Sequence, residues 1–101
     1  EKPLEKNIED ALFYFKLAAN KGDREAMVSY ARIRRNGLDG AKVDKIEAAR
    51  YFKMAADNRS RNGITNYVDM LRSGDGIPVD NAEAERYEKM IKNAENDCLI
   101  C

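Results

Sequence analysis

The chain has 101 residues, and its 18 basic side chains are balanced by 18 acidic ones. This balance gives no electrostatic support for binding to nucleic acid or to an anionic membrane, and no apolar run approaches the roughly 18 residues of a membrane span. The length suits one domain at most, and a content of 44% hydrophobic residues excludes a disordered chain.

The spacing of apolar residues predicts two helix pairs and a half pair, each pair consisting of an A helix and a B helix. The segments are a polar lead-in or truncated helix at 1–6, repeat one at 7–43, repeat two at 44–79, a half repeat or capping helix at 80–96, and a tail at 97–101. In repeat one the A helix ends at about Asn20 and the B helix at Asn36, where Gly37 permits a tight turn. The third A helix is predicted to run to about Asn96.

Polar residues before each apolar stretch predict where the helices begin. The candidate N-caps are Asn7, Asp23, Asp44 and Asp80. Asp44 with Glu47, and Asp80 with Glu83, also have the form of a capping box, in which two side chains satisfy backbone N–H groups reciprocally. We therefore expect the A helices of repeat two and of the half repeat to begin in the same way.

The best copy of the repeated string is Ala48–Ala56, which recurs upstream at Ala11–Ala19 and, in a degraded form, from Ala84 onwards. Self-similarity at a fixed period is the sequence signature of a stacked array of helix pairs. Differences in length fall between the helices, in the loops, where such arrays tolerate them.

Two apolar lines run along the second A helix. One line consists of Ala48, Tyr51 and Ala55, and the other of Ala49, Phe52 and Ala56. A helix inside an array needs both, since one line faces its own B helix and the other faces a neighbouring unit. In the third A helix charged residues replace the second line, and we interpret that helix as the cap at the end of the array, the alternative being a divergent internal repeat followed by more chain.

A spaced pattern joins these features. It consists of Asp44, Ala48, Tyr51, Phe52, Lys53, Ala55 and Ala56, followed by Gly74, Gly76, Val79 and Asp80. The pattern resembles the Sel-one-like repeat family, a relative of the tetratricopeptide repeat, and the resemblance covers about 7–96. It implies an all-α fold, a right-handed α/α solenoid of helix-turn-helix units, with two repeats plus a C-terminal capping helix.

The resemblance also implies a function. Members of the family act as scaffolds or adaptors, so we expect binding of a protein or peptide partner on the concave helical face, with no catalysis and no cofactor in this segment. The alternative is a regulatory or localising segment of a larger enzyme such as a protein kinase. Because the first A helix is apolar without a preceding partner helix, we also expect further repeats or another domain upstream.

The chain departs from the family pattern at several positions, since the Leu-Gly pair of the B helix is replaced by Tyr30-Ala31 and Tyr67-Val68 and two more departures lie in repeat two. Arg59 stands where repeat one has Gly22, and Gly63 stands where the family has an alanine in the B helix. A larger residue at the glycine position is expected to push the neighbouring helices apart. The angle between the A and B helices of repeat two is therefore left open.

The candidate contact residues are those left on the A helices once the apolar lines are removed. They are Phe13, Lys16, Arg50, Lys53, Arg86 and Lys89. Their basic and aromatic character favours a partner with acidic or aromatic groups. A second basic set lies elsewhere, in Arg32, Arg34, Arg35, Arg59 and Arg61. That set has two interpretations, a contact for an acidic peptide or nucleic acid, and a solvated group of helix ends.

The two cysteines lie close to the end of the chain. The sequence from Cys98 to Cys101 has the form of a prenylation signal, although Cys is not among the usual final residues. The same pair has the C-x-x-C spacing of a metal or redox site but lacks partner ligands, and an unstructured or loosely docked tail is the simpler hypothesis. So few cysteines favour a reducing compartment, the cytoplasm. The chain has no His, the usual base for a Ser or Cys nucleophile, so neither an enzyme nor a metal site is predicted.

Overall fold

The computed structural model describes residues 7–100, with side-chain surroundings given for 7–93. This part of the chain is helical throughout, apart from short connections. The helices are α1 (Ile8–Asn20), α2 (Arg24–Asn36), α3 (Lys45–Asp57), α4 (Arg61–Ser73) and α5 (Asn81–Ile100), with a 3₁₀ turn at Leu38–Gly40. No helix in it is long and apolar enough to cross a membrane.

Polar caps set the helix starts, and all four predicted N-caps are confirmed. The side chains of Asn7, Asp23, Asp44 and Asp80 each accept a hydrogen bond from a backbone N–H of the helix that follows. Ser60 does the same for α4, at 3.0 Å from the Gly63 nitrogen. Each bond satisfies one of the N–H groups that a helix start leaves without a partner.

The predicted capping boxes form only in half. The Asp44 side chain accepts from the Glu47 N–H at 3.1 Å, but the Asp44 N–H donates to the Arg34 carbonyl at 2.7 Å. The Asp80 N–H likewise donates to the Leu71 carbonyl at 2.9 Å. Because the preceding B helix already satisfies these N–H groups, the Glu47 side chain is available for other contacts.

Glycines in the left-handed region end both B helices. Gly37 follows α2 with φ 67° and Gly74 follows α4 with φ 70°, as expected for residues that stop a helix. The predicted loop after α2 contains the 3₁₀ turn, in which Asp39 also has a positive φ of 55°. At the other end, α5 continues to Ile100 and does not stop at about Asn96.

Consecutive helices pack side by side in chain order, so that α3 lies between α2 and α4. Every member of its two apolar lines is buried: Ala48, Tyr51, Ala55, Ala49, Phe52 and Ala56 are at most 5% exposed. The prediction that this helix is enclosed on two sides is confirmed. On α5, Ala84 and Tyr87 are buried and Ile91 is half-buried, whereas Glu85 and Lys92 are exposed. The interpretation of α5 as the end of an array stays a prediction.

The expectation that Arg59 pushes the helices of repeat two apart is wrong. A Cβ atom at the equivalent Gly22 would meet nothing within 4 Å, so this position is selected for its positive φ and not for lack of space. Arg59 adopts a φ of 67° there. At Gly63, in contrast, an added Cβ would lie 2.5 Å from the Ala55 Cβ. The glycine therefore leaves room for α4 to lie directly against Ala55 of α3.

Candidate partner-binding surface

The six predicted contact residues lie on the three A helices. Phe13 and Lys16 are on α1, Arg50 and Lys53 on α3, and Arg86 and Lys89 on α5. Lys53 is half-buried and the other five are exposed. Equivalent members of this set on successive A helices are one repeat apart in sequence, and we call the six residues the basic row.

Glu47 joins two members of the row at the junction between α2 and α3. Its carboxylate lies 3.2 Å from the Lys16 Nζ and 3.1 Å from an Arg50 nitrogen, and it accepts a hydrogen bond from the Tyr30 hydroxyl at 3.0 Å. The Tyr30 ring meets the Tyr51 ring edge to face, with centroids 4.7 Å apart. Because Glu47 does not close the capping box, its carboxylate is available to pair with Lys16 and Arg50.

Burial and hydrogen bonding fix the protonation states at this junction. Burial raises the pKa of the Tyr30 hydroxyl, which stays neutral and donates to Glu47. The hydrogen bond to Glu47 raises the pKa of Lys16, so its ammonium group stays charged at neutral pH. Tyr30, Glu47 and Lys16 therefore form a charged and hydrogen-bonded group on the surface of the junction.

The junction between α4 and α5 repeats this arrangement with different partners. The Tyr67 and Tyr87 rings meet edge to face with centroids 5.1 Å apart, and the Tyr87 hydroxyl donates to the Asp57 carboxylate at 2.6 Å. Asp57 also pairs with Lys53 at 3.4 Å, and its charge is the main cause of a raised pKa at Lys53. Arg86 lies over the Tyr87 ring, 4.7 Å from its centroid.

Acidic neighbours therefore compensate most of the predicted basic row. Lys16 and Arg50 pair with Glu47, Lys53 pairs with Asp57, and Arg86 pairs with Glu83 at 3.0 Å. Two of the six residues are not in these ion pairs. Phe13 lies edge to face with Tyr14. Lys89 lines a separate depression with Arg72 and Lys92. An acidic partner would have to compete with carboxylates already in place.

An apolar groove lies beside Arg50 and Lys53, and the sequence analysis missed it. Its volume is about 360 Å³, and it runs between α3 and the connection that leads to α5. Its apolar lining residues are Ile46, Ala49, Tyr67, Leu71, Ile77, Pro78 and Val79. Ile46 is 70% exposed and Val79 is 56% exposed, both large values for such side chains. Ile46 could have been found from the sequence, because it lies on α3 outside both apolar lines.

The second basic set is divided by the fold. Arg35 is in ion pairs with Asp69 at 2.7 Å and with Asp75 at 2.9 Å, and Arg34 pairs with Glu9 at 3.4 Å. Hydrogen bonds from Lys45 and Arg35 lower the pKa of Asp75. Arg32, Arg59 and Arg61 lie together instead, at a different cleft.

The lipidation site expected from the sequence is Cys98, near the end of the described residues. Cys98 lies within α5, but its side chain falls outside the described surroundings, and Cys101 lies beyond the described residues. Its prenylation stays a prediction.

Comparison with known proteins adds one result. The Sel1 repeat model matches residues 2–23, 24–60 and 69–87, which is well over half of the chain. The middle match begins at α2 and runs through α3, so it contains both Tyr30 and Tyr51, whose rings meet between these helices. A search of curated proteins found no match.

Proposed function

The chain belongs to the Sel1 repeat family, whose repeats are generally protein-interaction modules that lack catalytic activity of their own, and we propose that it binds a peptide or protein segment along its A helices. The observation that carries this proposal is the apolar groove beside Arg50 and Lys53. Exposed apolar surface with a polar rim is typical of sites where another protein binds.

The groove favours one of the two partner chemistries expected from the sequence. Arg50 and Lys53 are already paired with Glu47 and Asp57, and exposed ion pairs add at most about 1 kcal/mol each. Burying the exposed Ile46 and Val79 side chains contributes more, since about 25 cal/mol is gained for each Å² of apolar surface removed from water. The partner therefore supplies an aromatic or aliphatic side chain to the groove, and the rim orients it.

The row extends the contact beyond the groove. Phe13 is 58% exposed at one end of the row, and Arg86 stacks on Tyr87 at the other. An extended segment that crosses successive A helices would meet equivalent positions one repeat apart. In this proposal the concave face of the array is the one formed by these A helices.

Selection from a displayed random peptide library tests the proposal. Peptides bound by the full chain are expected to carry an aromatic or aliphatic residue, and Ile46→Asp combined with Val79→Asp is expected to abolish their binding. Leu38→Asp is the matched control, because Leu38 is also an exposed apolar residue but does not line the groove. Equal binding by the double variant and the wild type would contradict the proposal.

Charge reversal tests the rim separately. Arg50→Glu with Lys53→Glu is expected to weaken the selected peptides without abolishing their binding, because these cations orient the segment while the apolar contact holds it. If affinity stays unchanged for every selected peptide, the basic row is only a solvated surface.

A further inference from the structure

A second cleft lies between α2 and the start of α4, and none of the four tyrosines described above lines it. Its volume is about 530 Å³, and four arginines line it with a single carboxylate, that of Glu25. The arginines are Arg24, Arg32, Arg59 and Arg61. The fold thus joins side chains that come from two separate parts of the sequence into one positive surface, which we call the arginine cleft.

In the part of the chain whose side chains are described, three of the arginines in the cleft, Arg24, Arg32 and Arg59, are not held by ion pairs. Among the side chains described for 7–93, ion pairs engage the cations Lys16, Arg34, Arg35, Lys45, Arg50, Lys53, Arg72 and Arg86. Within the same part of the chain, Arg24, Arg32 and Arg59 have no acidic partner. Their positive charge therefore remains available to a ligand.

Hydrogen bonds within the protein hold one side of the arginine cleft in position before any ligand binds. The Arg24 Nη1 donates to the Asn58 and Arg59 carbonyls at 3.1 Å and 3.3 Å, which ties α2 to the turn before α4. The same turn starts α4, where Ser60 is the N-cap and the first turn carries no acidic residue. The positive end of the helix dipole therefore adds to the field of the arginines.

Arg59 has an unfavourable backbone conformation. Its φ of 67° lies in the left-handed region, which is unfavourable for a residue with a side chain, and repeat one uses Gly22 at the same position. A Cβ added at the equivalent Gly22 would meet nothing within 4 Å, so the backbone conformation and not crowding disfavours a side chain at this position. A strained residue retained beside a charged cleft is an observation that points to function.

We propose that the arginine cleft binds an acidic segment of a partner protein, whose carboxylates pair with Arg24, Arg32 and Arg59. Guanidinium groups bind carboxylates with paired, planar hydrogen bonds, and an ordered cleft reduces the entropic cost of forming them. A nucleic acid fits less well, because the cleft is lined by Arg, Glu, Val, Ser and Asn and offers no aromatic ring on which a base could stack. This binding does not depend on the apolar groove.

A labelled hexaglutamate peptide is the probe, and its fluorescence anisotropy with the full chain at low salt is the measurement. Arg32→Glu with Arg59→Glu is expected to weaken binding roughly tenfold or more, since two attractive pairs become repulsive. Lys21→Glu with Lys42→Glu changes the net charge equally outside the cleft and is expected to leave the affinity within about twofold. Equal weakening by both variants would show a net-charge effect and overturn the proposal.

Arg59→Gly gives a second test that a folding defect cannot mimic. Relief of the strained φ is expected to raise the midpoint of thermal unfolding, while loss of the guanidinium weakens hexaglutamate binding. Unchanged peptide binding by this more stable variant would remove Arg59 from the site. An oligothymidylate of the same formal charge completes the comparison, and its binding more tightly than hexaglutamate would overturn the proposal in favour of nucleic acid. Loss of hexaglutamate binding only in Ile46→Asp with Val79→Asp would place the acidic ligand in the groove.

Discussion

Helices α1 and α3 carry nearly the same sequence pattern, yet only one of them is enclosed. Tyr14 and Tyr51 occupy equivalent positions, but Tyr14 is 67% exposed and Tyr51 is 1% exposed. Tyr51 packs on Tyr30 of the preceding B helix, and its hydroxyl donates to Asn20 of the preceding A helix at 3.0 Å. The comparison teaches that burial in a repeat depends on the neighbouring unit and not on the residue itself.

The difference leaves an apolar patch on α1. Phe13, Tyr14 and Leu17 are all more than 40% exposed, whereas the α3 equivalents of Tyr14 and Leu17, Tyr51 and Met54, are buried and half-buried. The pattern of α1 is therefore suited to the same cover by a preceding helix. That further repeats precede it stays a prediction.

The largest effect expected from this comparison follows removal of the α3 core side chain. Phe52→Ala should lower the free energy of unfolding by about 3–5 kcal/mol, because Phe52 is fully buried and its ring leaves a cavity. Phe15→Ala is the matched change on α1, where the side chain is only half-buried, and it should cost clearly less. Urea unfolding followed by circular dichroism measures both, and equal losses would contradict the contrast between the helices.

The second effect concerns how closely each A helix meets its own B helix. Gly63→Ala should cost about 1–3 kcal/mol, because the new methyl group would lie 2.5 Å from the Ala55 Cβ. Thr65→Ala, at an exposed position of the same helix, should stay within about 0.5 kcal/mol. Unfolding in urea gives both values. A stabilised Gly63→Ala protein would show that α3 and α4 are not in the close contact described.

Sequence periodicity was sufficient to predict much of this architecture. The caps at Asn7, Asp23, Asp44 and Asp80 and the apolar lines of α3 are local patterns, and a local pattern is readable from one repeat. The role of Glu47 was not readable in this way. Its three partners lie on α1, α2 and α3, and only the packing of these helices reveals that it does not close a capping box.

The candidate sites were predicted less completely for the same reason. Exposure of the row could be inferred from the helix faces, but its neutralisation requires the distance from Lys16 to Glu47 across two helices. The arginine cleft unites Arg24 and Arg32 with Arg59, which lies a repeat away in sequence. Counting charges along the chain grouped Arg32 with Arg34 and Arg35, which the fold places in ion pairs.

A smaller effect isolates the hydroxyl of the enclosed tyrosine. Tyr51→Phe removes the hydrogen bond to Asn20 and should cost about 0.5–1.5 kcal/mol. Tyr14→Phe removes the same group from the exposed position and should change stability by less than about 0.5 kcal/mol. Thermal and urea unfolding of both variants provide the measurement. Equal costs would mean that the hydroxyl at the junction contributes nothing specific.

The smallest effect is a pH dependence at Tyr87, which has the position of Tyr51 one repeat later. Burial, and then the hydrogen bond to Asp57, raise its pKa above the ordinary value of 10.0. Its contribution to stability is therefore complete below pH 10 and is lost as the pH rises through the raised pKa. Tyr87→Phe should lose less stability than the wild type over this alkaline range, as measured by urea unfolding at a series of pH values. Parallel curves for the two proteins would exclude a role of Tyr87 in the alkaline loss.

The Arg35–Asp75 ion pair illustrates how far apart in sequence two contacting residues lie in this chain. It spans 40 positions, which is little more than one repeat. In the described part of the chain, the main helix contacts likewise join helices of the same repeat or of adjacent repeats. Short-range contacts of this kind favour rapid folding that can begin in any unit. They also mean that whole repeats can be gained or lost during evolution while the remaining junctions keep all their partners.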